Sequence, residues 1–463
     1  MVNIRVRWAI SKRSKILLKA FLLGVILRAI IEICNGEFPV GYDPSAWYVL
    51  MCVCEMWDYA SDAPLYPIFL YLLYRAIGNV LIAIKIGSVL VSGFFTFSTA
   101  YWAIKYGVKE DHVLRFVAFT YTFFVILRIL WDLHRNVVGI SLSLLALAFY
   151  KEGKDVNAFI LSILAGLGHP YSAIFIGAGI LYELLVMRKM RAVIPASGVL
   201  IGASIVILTK MILWNFPMME IFESYWYVSR AELPLYILWL YAPVIPIILM
   251  ILHKRPEISR TLILNTENRK LLTWIFAILT VAFVFEFTYR ITFLAAHPLL
   301  AFIFMLINGL HDRRRIYKLL ILYNITISAI YPAIFYIYPI RDSFRKTVPP
   351  ALVGGNGFPW QLEAAKQLFR KALEYLDESS AIIVHHAEAS CAYAAGVPLN
   401  SHNVLVTHPD DDFERYLNLA KQRGFHVAYI VWYITAPVGS IEAPPGGFII
   451  ESVYDLALYK YTV

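Results

Sequence analysis

Long apolar stretches broken by short charged clusters dominate the first three quarters of the chain. A bilayer core takes about 20 apolar residues per helix. Stretches of roughly that order run Ile16–Cys34, Val80–Ile104, Val113–Leu127, Asn136–Tyr150, Ala192–Trp214, Leu233–Leu252, Leu271–Phe287, Ile291–Leu310 and Ile316–Tyr338. Val156–Met187 is too long for one helix, and His169-Pro170 in its middle predicts two short limbs in a tight hairpin. The pattern therefore predicts eleven spans. Past Tyr338 the pattern changes. Helices are expected over Trp360–Asp377, Glu388–Ala395 and Asp410–Gln422, strands over Ala381–His385 and Val427–Tyr433, and a hairpin over Phe448–Val453 and Ala457–Tyr461.

Composition agrees with a membrane protein. Of 463 residues 60% are hydrophobic and 16% charged, where a soluble domain carries about 45–50% and about 25%. That balance excludes a soluble enzyme, a disordered chain or a fibrous repeat. The net charge of +9 is explained by placement rather than by nucleic acid. With the N-terminus in the cytoplasm, the inner segments hold Arg5/Arg7/Lys12/Arg13/Lys15, Lys105/Lys109/Arg115, Lys151/Lys154, Arg188/Lys189/Arg191, Lys254/Arg255/Arg260/Arg269/Lys270 and Arg313/Arg314/Arg315/Lys318. The outer loops hold only Arg75, Arg128, Arg135, Arg230 and Arg290. This is the positive-inside asymmetry of a multi-pass protein of the cell membrane. It puts the tail on the outer face and makes the first span an uncleaved anchor, since no small-residue cleavage site follows it. The expected organisation is a mainly α polytopic membrane domain over residues 1–339, its first outer loop at 35–79, and an extracytoplasmic α/β domain over 340–463. Cys34, Cys52, Cys54 and Cys391 show no zinc spacing, and the sequon Asn324-Ile325-Thr326 falls inside a span.

Candidate chemistry collects in the outer loops. The first begins Gly36-Glu37-Phe38-Pro39-Val40-Gly41-Tyr42-Asp43-Pro44, continues as an aromatic helix to Asp58, and reaches Pro64-Leu65-Tyr66-Pro67 and an apolar segment that reads as an interfacial helix. Asp43 either caps a helix beginning at Pro44 or offers a fixed carboxylate, and the two roles are compatible. At the outer junction of spans three and four stands Arg128-Ile129-Leu130-Trp131-Asp132-Leu133-His134-Arg135. Such a cluster at the edge of hydrocarbon is either an interfacial salt-bridge knot or a ligand site. In the second case Asp132 takes an acceptor hydroxyl or a divalent metal, and the arginines meet a phosphate through their paired donors. His169, Arg290, Glu220 and Glu223 are weaker outward candidates. Gly354-Gly355-Asn356-Gly357 lacks the setting of a phosphate loop. His385-His386-Ala387-Glu388 reads as a strand end before a metal site, and Pro409-Asp410-Asp411-Asp412 as the start of a helix.

The order of these features resembles the GT-C class of polyprenyl- or dolichyl-phosphate-sugar-dependent glycosyltransferases, in particular its protein O-mannosyltransferase and lipid A aminoarabinose transferase branch. Gly41-Tyr42-Asp43 resembles the first-loop acidic motif, Pro64-Leu65-Tyr66-Pro67 the Pro-rich helix, and Trp131-Asp132-Leu133-His134-Arg135-Asn136 the second acidic site. Glu374–Pro398 is similar to the tail domains of these enzymes. The paired acids of the mannosyltransferases are absent, Asp43 being followed by Pro44, and so is the Trp-Trp-Asp-Tyr-Gly signature of oligosaccharyltransferases.

The resemblance implies transfer of a sugar, with inversion, from a polyprenyl-phosphate donor to a lipid, glycan or protein acceptor on the outer face. It implies Asp43 and Asp132 as catalytic residues, and Arg135, Arg128, Arg290 and His134 around the donor phosphate. Tyr42, Glu55, Asp58, His169 and Glu223 are then the substrate contacts, with no cofactor beyond a divalent metal. A transporter or lipid flippase would show matched broken helices in two halves, for which His169-Pro170 and His297-Pro298 are the only pair. A receptor or scaffold would leave the rim carboxylates and arginines without a purpose.

Overall fold

The computed structural model describes residues 11–55, 63–213, 233–254, 265–284, 289–308, 313–337, 359–407, 412–434 and 443–463. The chain is mostly helical. In chain order its helices are α1 (Lys12–Cys34), α2 (Tyr42–Ser45), α3 (Trp47–Cys54), α4 (Leu65–Ile77), α5 (Val80–Lys105), α6 (Glu110–Tyr121), α7 (Phe124–Asp132), α8 (His134–Glu152), α9 (Asp155–Gly168), α10 (Tyr171–Leu185) and α11 (Val193–Leu213). There follow α12 (Leu233–Tyr241), α13 (Ile245–Lys254), α14 (Thr266–Val284), α15 (Ala296–Asn308), α16 (Arg313–Ile337), α17 (Pro359–Glu374), α18 (Ala389–Ala395) and α19 (Phe413–Gln422). Among the described residues three helical stretches, Val80–Lys105, Met190–Ile212 and Leu233–Ile251, are long and apolar enough to cross a membrane. A bent pair, Glu110–Tyr121 with Phe124–Trp131, makes a fourth if it is one span.

Two compact units divide the chain. The first comprises Met1–Arg28, Val89–Leu127 and Asn136–Ser328; the second comprises Ala29–Ser88, Arg128–Arg135 and Ala329–Val463.

In the first unit small residues set the helix packing. A Cβ on Gly202 would lie 2.1 Å from the Ile163 carbonyl oxygen, and one on Gly166 2.5 Å from the backbone of Val199 and Ala203. Together with Gly198, which faces the Phe159 carbonyl, these glycines let α9 and α11 meet backbone to backbone, the arrangement small-xxx-small spacing permits. Over the expected span Val113–Leu127 the chain is not one straight helix: α6 and α7 are bent by 74° at the break between them. The polar residues of α16 repair that break. Asn324 Nδ2 donates to the Phe119 carbonyl at 3.0 Å and Ser328 Oγ to the Thr122 carbonyl at 2.7 Å. Those carbonyls lie where a continuous helix would have satisfied them internally. The break at His169-Pro170 stands where the sequence placed it, between α9 and α10.

Charged groups of this unit pair between segments that the sequence assigns to one side. Lys12 meets Asp111 at 3.1 Å, Arg13 meets Glu110 at 2.8 Å and Lys151 meets Glu267 at 2.9 Å. Lys105 pairs with Glu152 and Arg191 with Asp155. Lys270 reaches Glu183 at 2.6 Å, and the Tyr150 hydroxyl donates to the same carboxylate at 2.8 Å.

The second unit contains a five-stranded sheet in the order β2-β1-β3-β5-β4, with β1 Ser380–Val384, β2 Val404–Val406, β3 Val427–Tyr433, β4 Phe448–Val453 and β5 Leu456–Thr462. Strand β1 is parallel to both β2 and β3, pairing Ile382 with Val404 and Ala381 with Ala428. Strands β3, β5 and β4 run antiparallel, with a register shift between Ile449 and Glu451. The expected tail elements are present with small shifts, and β2 is an addition. Glu388 closes a 3-10 turn, His386–Glu388, ahead of α18. Helix α19 begins at Phe413, where the Asp412 carboxylate accepts the Arg415 N–H at 2.8 Å and caps it, while Asp410, its expected start, lies outside the described residues.

Gly202→Val should force α9 from α11 and lower the stability of the detergent-solubilised protein by about 1–3 kcal/mol or more, the usual cost of overpacking. Gly177→Ala, at a helical glycine whose Cβ would meet nothing within 4 Å, should be neutral or slightly stabilising. Thermal melting of both variants distinguishes a specific contact from a general intolerance of side chains on these helices.

Candidate functional site

The second unit brings the first loop against the 128–135 segment through one close backbone approach. Gly41 has φ +113, and a Cβ there would lie 2.1 Å from the carbonyl oxygen of Trp131. No residue with a side chain fits that position. Helix α2 follows at once, closed by the Ser45 N–H donating to the Gly41 carbonyl at 3.2 Å. Asp43 lies inside this four-residue helix, so it does not cap a helix beginning at Pro44. Its carboxylate is buried, with the residue 5% exposed. The Arg135 guanidinium stands 3.8 Å away, Nη2 to Oδ2.

The supporting residues are polar groups within apolar surroundings. Glu32, 3% exposed on α1, accepts the Val40 N–H at 3.2 Å. The Asn35 amide donates to the Phe38 carbonyl at 3.0 Å, and Ser45 Oγ to the Pro39 carbonyl at 3.0 Å. Lys85 closes the end of α1 by donating to the Glu32 carbonyl at 2.7 Å and to that of Gly36, carbonyls that a helix C-terminus leaves without intrahelical partners. His134, fully buried at the start of α8, packs against the rings of Tyr66 (5.3 Å) and Tyr48 (6.1 Å). Arg128 is buried in the same segment.

The tail reaches this loop from the carboxyl end of its parallel strands. Trp47 stacks on His386, centroids 4.7 Å apart and planes within 11°. Lys366 of α17 pairs with Glu37, and Cys54 Sγ lies 3.6 Å from the Leu399 carbonyl. His385, against Trp432 at 4.3 Å, accepts the Ala387 N–H on Nδ1 at 3.2 Å, and burial pushes its basicity down to about 3. Burial, with the Asp455 charge adding to it, pushes the Glu388 carboxyl up to about 7, partly offset by a hydrogen bond with Cys391.

The remaining expected site residues are dispersed or lie outside the described residues. Tyr42 is on α2 and Asp132 ends α7. Glu55 is exposed with φ 56 and terminates α3, so the aromatic helix stops short of Asp58. His169 belongs to the first unit, where its Nδ1 accepts the Tyr171 N–H at 3.1 Å. Arg290 falls in a 3-10 segment, Tyr289–Ala295, of that unit. Asp58, Glu220 and Glu223, like Gly354-Gly355-Asn356-Gly357, lie outside the described residues. Among the described residues no three His, Cys, Asp or Glu side chains converge as metal ligands. The sequence reading passed over Arg28 and Glu32, both buried and one turn apart on α1. Two ionisable residues four apart in an apolar run are the signal that would have found them. No family model matches the chain, and no curated protein matches it.

Gly41→Ala should be among the most damaging single-methyl changes in the chain. The positive φ alone costs about 1–3 kcal/mol, and the contact with the Trp131 carbonyl would separate the loop from the 128–135 segment. Limited proteolysis within residues 35–62 should accelerate in that variant.

Glu388 supplies a pH test. Its carboxyl ionises in the unfolded chain above about 4.5 but in the folded tail only near 7, so the folded state binds the extra proton between those values. Stability should therefore fall as pH rises from about 4.5 to 7 and then level off. Glu388→Gln should flatten that slope, by up to about 3 kcal/mol at pH 8, in melting curves of the full chain.

Proposed function

We propose that this chain is a GT-C-type membrane glycosyltransferase. It moves a sugar from a polyprenyl-phosphate donor to an acceptor hydroxyl at the outer face, with inversion at the anomeric carbon. The observation that carries this reading is the pairing of the buried Asp43 carboxylate with the half-buried Arg135 guanidinium. Glycosyl transfer from a phosphate-linked lipid calls for a base toward the acceptor and a cation toward the leaving phosphate. A carboxylate and a guanidinium held together at one place have that chemistry. When the donor phosphate enters, Arg135 exchanges its carboxylate partner for a phosphate oxygen, a match for its planar fork. Asp43 is then free to take the acceptor proton. The acceptor oxygen forms a bond to the anomeric carbon as the carbon–oxygen bond to phosphate breaks, and the polyprenyl phosphate leaves with the electron pair.

Eleven crossings with the N-terminus in the cytoplasm accompany this reading. Its support is the set of ion pairs in the first unit, Lys12–Asp111, Arg13–Glu110, Lys105–Glu152, Lys151–Glu267 and Arg191–Asp155. Each joins two segments that the positive-inside count assigns to the cytoplasm. The pairs reach from Lys12 to Glu267, and adding or removing one crossing between two paired segments would put the partners on opposite faces. On the proposed alternation Asp43, Arg135 and the tail face outside, where a polyprenyl-phosphate sugar is exposed once flipped.

Asp43→Asn preserves size and removes the base. In protein of unchanged melting temperature it should lower transfer from a synthetic short-chain polyprenyl-phosphate mannose or aminoarabinose by about two to four orders of magnitude. Arg135→Lys keeps the charge and loses the fork, so it should weaken donor binding with little change in the pH profile. Full activity in folded Asp43→Asn protein would refute the assignment.

A further inference from the structure

Helix α2 has four residues and cannot hold its own geometry, because a single turn pays for nucleation without the bonds that follow. Something else must fix Asp43, and the tail is attached on both sides of it. Lys366 pairs with Glu37 six residues before Asp43, His386 stacks on Trp47 four residues after it, and the Leu399 carbonyl meets Cys54 at the end of α3. His386 is itself held. Its N–H donates to Thr407 Oγ1 at 3.2 Å, while the Thr407 N–H donates to the Val384 carbonyl at 2.9 Å, so the turn is tied to the ends of β1 and β2. In the order β2-β1-β3 the chain leaves β1 for one neighbour and returns on its other side. The carboxyl end of such a strand is where open α/β sheets place functional residues.

We infer that His386 is a positioning residue of the Asp43 site: by stacking on Trp47 it fixes the α2–α3 segment so that the Asp43 carboxylate stands against Arg135. This inference rests on the transferase reading of Asp43 for its catalytic consequence, though not for its mechanical one. The stack is the working contact, so an apolar ring at position 386 suffices, and the imidazole moves no proton. The tail thereby contributes to catalysis without supplying the base.

The test compares His386→Ala with His386→Phe in the full-length purified protein, by two measurements. Backbone hydrogen exchange over residues 42–54 should accelerate about tenfold in His386→Ala and return to within twofold of the parent in His386→Phe. Transfer from a synthetic polyprenyl-phosphate mannose should show kcat reduced by roughly 10- to 100-fold in His386→Ala, the scale of a small misplacement. KM should stay within about twofold, and His386→Phe should recover most of the rate with the parent pH profile. Unchanged exchange in folded His386→Ala overturns the inference. So does a His386→Phe variant as slow as His386→Ala, or one that loses a limb of the pH profile, because the imidazole itself would then be the working group. Where His386→Ala misfolds, Trp47→Phe and Trp47→Leu pose the same question from the other ring, and only Phe should preserve the protection. Altered exchange in a chain that transfers no sugar, the parent included, would uphold the clamp and remove the transferase reading.

Discussion

Ionisable groups taken out of water must find partners, and in this chain that requirement organises everything else. A buried charge left alone is among the costliest defects a fold can hold, and pairing with hydrogen bonding relieves it. In the first unit the pairs gather at the ends of helices, Lys270 with Glu183 and Tyr150, Lys105 with Glu152. In the second they include Asp43 with Arg135, and the Glu32 carboxylate closing on the Val40 N–H. The first kind ties helices at one end. The second ties an irregular loop to helices at both of its flanks, and there the pairing is one that an incoming anion could replace.

The same constraint governs uncharged backbone. Where α6 and α7 part, Asn324 and Ser328 of α16 donate to the Phe119 and Thr122 carbonyls, the first of which also accepts from the Thr122 hydroxyl. At the end of α1 Lys85 donates likewise. Asn324, Ser328 and Lys85 thus mark places where a neighbouring helix stops being regular.

Much of the fold was legible because periodicity and punctuation are local signals. Most of the long apolar stretches are helical near their predicted limits, although Ile291–Leu310 opens as the 3-10 segment Tyr289–Ala295 and Leu233–Leu252 is interrupted by a 3-10 turn at Ala242–Val244; His169-Pro170 breaks the chain where proline removes a donor, and the tail strands fall where β-branched runs stand. The bend between α6 and α7 was not legible, since Thr122 and Phe123 carry no breaker and their stabilising partners lie some two hundred residues away. Strand β2 was missed because its three residues, Val404–Val406, are too short for a period to register. At the site, Asp43 and the 128–135 segment stood out by residue type, whereas their meeting depends on Gly41 lying on the Trp131 carbonyl, a contact between segments ninety residues apart. Trp47 with His386 and Glu37 with Lys366 are more distant still, and neither partner announces the other.

The sheet's two rims carry a separate consequence. Any open sheet ends in strands whose outer N–H and C=O groups can recruit a foreign strand, and such rims invite self-association unless blunted. At one rim β2 offers only three residues. At the other β4 is twice as long and leaves Phe448 71% exposed, a composition that would otherwise favour aggregation. The register shift between Ile449 and Glu451 interrupts it. A bulge bends and twists the strand that bears it, so β4 presents no flat template of full length. The acidic side chain of Glu451 stands at the interruption itself, a second feature that makes the rim a poorer template for a foreign strand.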